Sequence, residues 1–144
     1  MRHAARAIII RNNALLVIHR NKFGKEYYTL PGGGIEAGES PSDAVIRELQ
    51  EEAGFTISSS RLVFVESPSA KYGIQHVFLC KDPGGEAMLQ EDSIEAKLHM
   101  QGNLHTPEWV DFDVLDKYPF RSEKLKAAIL QGIRHGFPEE PIQL

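Results

Sequence analysis

A single cysteine, Cys80, among 144 residues excludes an internal disulfide framework. No apolar run approaches the length of a signal core or a membrane-spanning helix, so a cytoplasmic protein without a membrane partner is the default expectation. Zinc chemistry is poorly provided for. Beside the one cysteine, His3, His19, His76, His99, His105 and His135 are scattered without the short ligand pair that zinc sites use. Positive charge is also in short supply: the formal net charge is −4 and the pI is near 5.9. That balance argues against holding long nucleic acid by phosphate neutralisation, and leaves room for one small polyphosphate recruited through a metal. Internal repeats and low-complexity linkers are lacking, and the length suits one compact domain over residues 1–144.

What the chain does have is concentrated between Gly33 and Phe55, which read Gly33-x5-Glu39-x7-Arg47-Glu48-Leu49-x-Glu51-Glu52-x-Gly54. Ser40 suits an N-cap, Pro41 the first helical position and Asp43 the positive first turn, while Gly54 supplies a stop. On that helix Glu48, Glu51 and Glu52 fall within an arc of about 100°, and Val45, Ile46, Leu49 and Ala53 occupy the neighbouring arc. One face therefore enters the core and the next is acidic. Like charges at these spacings oppose the helix, and no basic residue lies among the three. A hard divalent cation such as Mg²⁺ would neutralise them, because it takes oxygen ligands.

Glu51-Glu52 alone would read as a solvated face. The whole pattern is different, since seven fixed residues plus one bulky apolar position arise by chance about one time in a million. The stretch resembles the Nudix box of the Nudix hydrolases, and Pro31-Gly32-Gly33-Gly34-Ile35-Glu36 is typical of that family as well. Phe55 stands where an aliphatic residue is commoner; an aromatic ring also fits that apolar slot.

The resemblance implies an α/β/α sandwich with a mixed β-sheet between helices, and a pyrophosphohydrolase active on nucleoside diphosphates linked to another group. By residue-by-residue analogy Glu48, Glu51 and Glu52, with the backbone carbonyl of Gly32, would ligate Mg²⁺ or Mn²⁺. Glu48 would also orient or deprotonate water, and Arg47 would pair with Glu39 to hold helix and loop in register. Gly33 and Gly34 would approach the substrate. Some family members take their base from a loop acid before the last strand, for which Glu95 is the first candidate here and Glu91 the second. Nucleoside triphosphates or dinucleoside polyphosphates are favoured over ADP-ribose: Tyr72 lies seventeen residues after Phe55, a spacing of the dinucleoside polyphosphate subgroup, and Pro68 comes too early for the ADP-ribose one. Arg121 and Ser122 stand where enzymes acting on oxidised guanine tend to carry asparagine. Phe23, Tyr28, Tyr72 and Phe120 are candidates for stacking on a base. The alternative is a non-catalytic Nudix module that senses a nucleotide-like ligand, as a monomer or homodimer; the complete Arg47, Glu48, Glu51, Glu52 set argues for catalysis.

Along the rest of the chain, Ala4 to Arg11 and Ala14 to Arg20 read as a β-hairpin around Asn12-Asn13. Asn21 to Glu26 reads as a loop, Tyr27 to Leu30 as a strand, and Gly32 to Gly34 as a turn. Further strands are expected at Arg61 to Glu66, Ile74 to Cys80 and Thr106 to Asp111. Lys81 to His105 reads as a long functional loop. Ser122 caps a last helix that Gly136 ends.

Overall fold

The computed structural model describes residues 2–69, 73–90 and 93–144. The central helix α1 spans Pro41–Ala53 as its end signals predict. Ser40 Oγ accepts from the Asp43 amide, Pro41 opens the first turn, and Gly54 closes the last with φ 71°, a left-handed conformation. Ala44, Val45, Leu49 and Ala53 are buried on its inner face. Each fully buried Val or Leu there stabilises the fold by about 1.5–3 kcal/mol. Phe55 fills the apolar slot beside them.

The core is a mixed sheet of β1 (His3–Ile8), β5 (Gly32–Gly34), β6 (Ser60–Ser69), β7 (Gly73–Cys80) and β9 (Ile142–Gln143), in the order β5-β1-β7-β6-β9. β1 runs parallel to β7 and antiparallel to β5, β7 is antiparallel to β6, and β9 is parallel to β6. Ala5, Ala7, Phe78 and Cys80 meet α1 on one face. Ile8, Val63, Phe64 and Val77 meet Leu125 and Ile129 of α4 (Glu123–His135) on the other. The mixed sheet between helices is therefore present. Antiparallel β3 (Ala14–Lys22) carries β8 (Asn103–Asp111) along its whole length, with β2 (Ile10–Arg11) and β4 (Lys25–Thr29) also paired to it.

The expected first hairpin is mostly wrong. Only Ile10–Arg11 pairs with Ala14–Leu15, while Ala4 to Ile8 leaves at Ile9 to become a strand of the mixed sheet. Residues apolar on both faces are what a doubly covered strand requires, and a run of them resembles a hairpin arm equally well. Asn21 to Glu26 is no loop either, since β3 and β4 continue to a two-residue turn at Phe23-Gly24, both with positive φ. Gly32 to Gly34 forms β5 rather than a turn. The reason is close approach: a Cβ on Gly32, whose φ is 146°, would collide with the Ala5 carbonyl. Within Lys81 to His105 lies α2 (Ile94–Met100), capped by Ser93, and β8 begins at Asn103, three residues before the expected strand. The helix α3 (Phe112–Leu115) and the strand β9 were not expected at all. Among the described residues no helix is long and apolar enough to cross a membrane.

Candidate active site

β5 and α1 bring the Nudix-box residues to one cleft of about 500 Å³. Gly32, Gly33, Gly34, Arg47, Glu48, Glu51 and Glu52 all line it. Gly32 meets the acidic face through its amide, which donates to Glu52 Oε1 at 2.6 Å. Gly33 has no room for a side chain: a Cβ would lie 2.6 Å from Glu48 Oε1. The strand therefore needs glycine so that buried Glu48 and Glu52 can lie against its backbone.

Arg47 organises this wall. Its Nε and Nη2 donate to the two oxygens of Glu39 at 2.8 and 3.0 Å, a bidentate pair, and Nη2 also donates to the Gly34 carbonyl at 3.0 Å. Its Nη1 donates to Glu48 Oε1 at 2.9 Å and lies 3.6 Å from Glu51. The Arg47 guanidinium holds the Glu39 carboxyl below the usual carboxylate range, and Glu39 in turn raises the pKa of Arg47. The pairing of Arg47 with Glu39 matches expectation. The absence of a basic partner for the helix acids does not, because the helix twist brings Arg47 beside Glu48 and, one turn on, Glu51.

Among the described residues no three acids or histidines are gathered closely enough to form a ready metal cage. The donor chemistry nevertheless suits a hard divalent cation: Glu48, Glu51 and Glu52 are all oxygen donors, on one helix face against a glycine strand, with no imidazole or thiolate among them.

The same cleft also carries cations. Arg6, inside the apolar β1, donates from Nε to Gln75 Oε1 at 3.0 Å and from Nη1 to the Leu30 carbonyl at 3.3 Å. Burial pushes its pKa down, against the upward pull of Glu52 and Glu48. Arg20 and Arg121 flank Tyr27, with guanidinium carbons 5.5 and 4.3 Å from the ring centroid. Ser122 Oγ donates to buried Glu66 at 2.6 Å. Sequence reasoning missed Arg6, Arg20, Glu66 and His105 as cleft residues. A signal existed for Arg6, a lone cation in a strand otherwise apolar.

Other expectations fare unevenly. Tyr72 and Glu91 lie outside the described residues. Glu95 falls on α2 rather than in a loop, and its side chain also lies outside them. Of the stacking candidates, Phe120 is core, Phe23 stands at the exposed hairpin tip, and Tyr28 stacks on His19. Tyr27, one residue earlier, is the aromatic that lines the cleft.

Comparison with known proteins agrees with this geometry. The sequence pattern described as the NUDIX domain matches residues 1–129. An ADP-ribose pyrophosphatase of Methanocaldococcus jannaschii is 33% identical over 127 residues, covering 85% of this chain and 69% of its own length. An RNA pyrophosphohydrolase of Ruthia magnifica subsp. Calyptogena magnifica is 28% identical, covering 92% of this chain and 86% of its own. The crystal structure of a MutT NUDIX hydrolase from Burkholderia pseudomallei superposes with a TM-score of 0.68 at 23% identity, over 87% of this chain and 94% of that one, and so speaks for the fold. With a glycine strand, an acidic helix face and an arginine clamp assembled at one cleft, and the domain pattern spanning most of the sequence, the chain belongs to the Nudix hydrolase family.

Proposed function

We propose that this chain is a divalent-metal-dependent pyrophosphohydrolase that hydrolyses a phosphoanhydride bond of a nucleoside diphosphate linked to a further group. The observation that carries this reading is a single cleft lined both by Glu48, Glu51 and Glu52 and by Arg6, Arg20 and Arg121. Hydrolysis of a phosphoanhydride needs a water activated near a carboxylate and the charge of two phosphates balanced. Glu48, Glu51 and Glu52 would hold Mg²⁺ or Mn²⁺, with the Gly32 carbonyl as a further candidate ligand. Such an ion, when bound, supplies charge neutralisation at the phosphoryl oxygens and a lower pKa for water. Arg47 donates to Glu48 and so keeps it in place, and Glu48 would orient or deprotonate water. The arginine wall holds phosphoryl oxygens, and Tyr27 offers a ring beside them.

A wall of three arginines favours substrates rich in phosphate, such as nucleoside triphosphates and dinucleoside polyphosphates, over ADP-ribose. The names of the two relatives put ADP-ribose and RNA on the same test. A panel of these compounds with Mg²⁺, scored by product identity, tests the reading. Release of a nucleoside monophosphate or diphosphate and a phosphorylated partner is expected. Binding of a nucleotide with no turnover of any of them would instead make the protein a sensor.

A further inference from the structure

Arg20 on β3 and His105 on β8 are direct cross-strand partners, which sets both side chains on one face, and both line the cleft that the acidic helix also lines. His105 is only 5% exposed. Neither its Nδ1 nor its Nε2 has a hydrogen-bond partner among the described residues, and the same holds for the buried Nε of Arg20. The surroundings of these atoms are otherwise tied down. Arg20 Nη2 donates to Asn103 Oδ1 at 3.0 Å, and the His105 amide donates to His99 Nδ1 at 3.2 Å. Two strands thus fix three buried nitrogens at a cavity wall without giving them acceptors. Buried polar atoms left this way forfeit their hydration for nothing in return, unless a ligand supplies the missing partners.

The charge around them identifies the ligand. Burial first, then Arg20 from β3, His99 from α2 and Arg6 from β1, hold the His105 imidazole far below its ordinary value, at about 4. A neutral imidazole offers one donor and one acceptor. An anion lying against Arg20 would offset the charge of the two arginines, let His105 take a proton, and make both ring nitrogens donors. A sugar hydroxyl carries no charge to do this.

We propose that Arg20 and His105 form a subsite for a phosphoryl group beyond the diphosphate held at the acidic helix, so that the protein selects its substrates by phosphate number. This deepens the hydrolase reading, on which the position of the diphosphate rests.

The test is equilibrium binding, which needs no turnover. Methylene-bridged analogues of ATP and ADP are titrated calorimetrically with Mg²⁺ into the wild type, Arg20→Gln and His105→Gln, after thermal melts confirm that each folds. One charge-assisted contact corresponds to a preference of about tenfold or more for the triphosphate analogue in the wild type. In either variant that preference should shrink to about twofold or less, and in His105→Gln diphosphate binding should be little changed. Repeating the titrations in buffers of different ionisation enthalpy should show proton uptake with the triphosphate analogue in the wild type and none in His105→Gln. Because the two variants sit on different strands, failure of one to fold leaves the other to decide. A wild type without preference, or variants that keep it, overturns the subsite. A separate assay with hydrolysable ATP and Mg²⁺ tells the two readings apart: no turnover there overturns the hydrolase and leaves the binding preference standing.

Discussion

Arg47 grips Glu39 with two parallel hydrogen bonds, 2.8 and 3.0 Å long, that tie the middle of α1 to the turn preceding it. The third guanidinium nitrogen is thereby directed at Glu48. A residue eight positions from Glu39 thus sets where a cleft carboxylate lies.

Arg47→Ala should therefore harm turnover more than stability. Loss of this half-buried clamp should cost about 1–2 kcal/mol, whereas a displaced Glu48 should lower kcat by about 100-fold or more. Thermal melts run beside initial rates check this. Unfolding large enough to account for the lost activity would make Arg47 a structural residue only.

The glycines of β5 should separate fold from function. Gly33→Ala meets only the movable end of Glu48, so the protein should fold while turnover drops by about 100-fold. Gly32→Ala meets the backbone of Ala5 and should destabilise the protein by about 3 kcal/mol or more. Urea unfolding of both variants, with rates for the first, distinguishes the two effects. An active Gly33→Ala enzyme would show that Glu48 need not lie against the strand.

Glu51 and Glu52 should also part company. From helix spacing alone, replacing either by Gln relieves repulsion and leaves the apo protein as stable or slightly more so. That still holds for Glu51, which is a third exposed and 3.6 Å from Arg47. Buried Glu52 is different, because it accepts from Gly32 and lies in the field of half-buried Arg6. Glu52→Gln should lose about 1–3 kcal/mol, since it weakens the buried bond from Gly32 and leaves a half-buried cation less compensated. Equal melting temperatures for the two variants in chelator would contradict this difference.

Acid should weaken the fold through His105. Its pKa is 6.5 when unperturbed and about 4 in the folded protein. Between those values the unfolded chain binds a proton that the folded one refuses, so stability is full above about pH 6.5 and falls as pH drops towards about 4. His105→Gln should flatten that slope. Denaturant midpoints measured from about pH 7 down to about pH 4.5 test it, and an unchanged slope would place the acid sensitivity elsewhere.

The legible parts of this molecule are those written by local rules. Ser40, Pro41 and Gly54 mark α1 at both ends, Ser122 and Gly136 mark α4, and the acidic face follows from helix geometry alone. The partition of Ala4 to Arg11 between two sheets was not legible, because strand pairing is decided by partners 71 residues away in β7. The cationic wall was hidden for the same reason. Arg6, Arg20 and Arg121 stand far apart in the sequence, and only the tertiary fold brings them into one cleft with Glu48. Tyr27 instead of Tyr28 was a matter of strand phase. β4 begins at Lys25, and its alternation turns Tyr27 to the cleft and Tyr28 towards His19.

The central claim is that Glu48, Glu51 and Glu52 act by holding a divalent cation, and the most direct measurement is initial rate against Mg²⁺ concentration on the best substrate of the panel. The wild type should be activated at about millimolar Mg²⁺ and silenced by chelator, and Glu51→Gln should need about tenfold more metal to reach half of its maximal rate. Undiminished turnover in excess chelator, with metal content verified, or a Glu51→Gln activation curve identical to that of the wild type, would contradict the account.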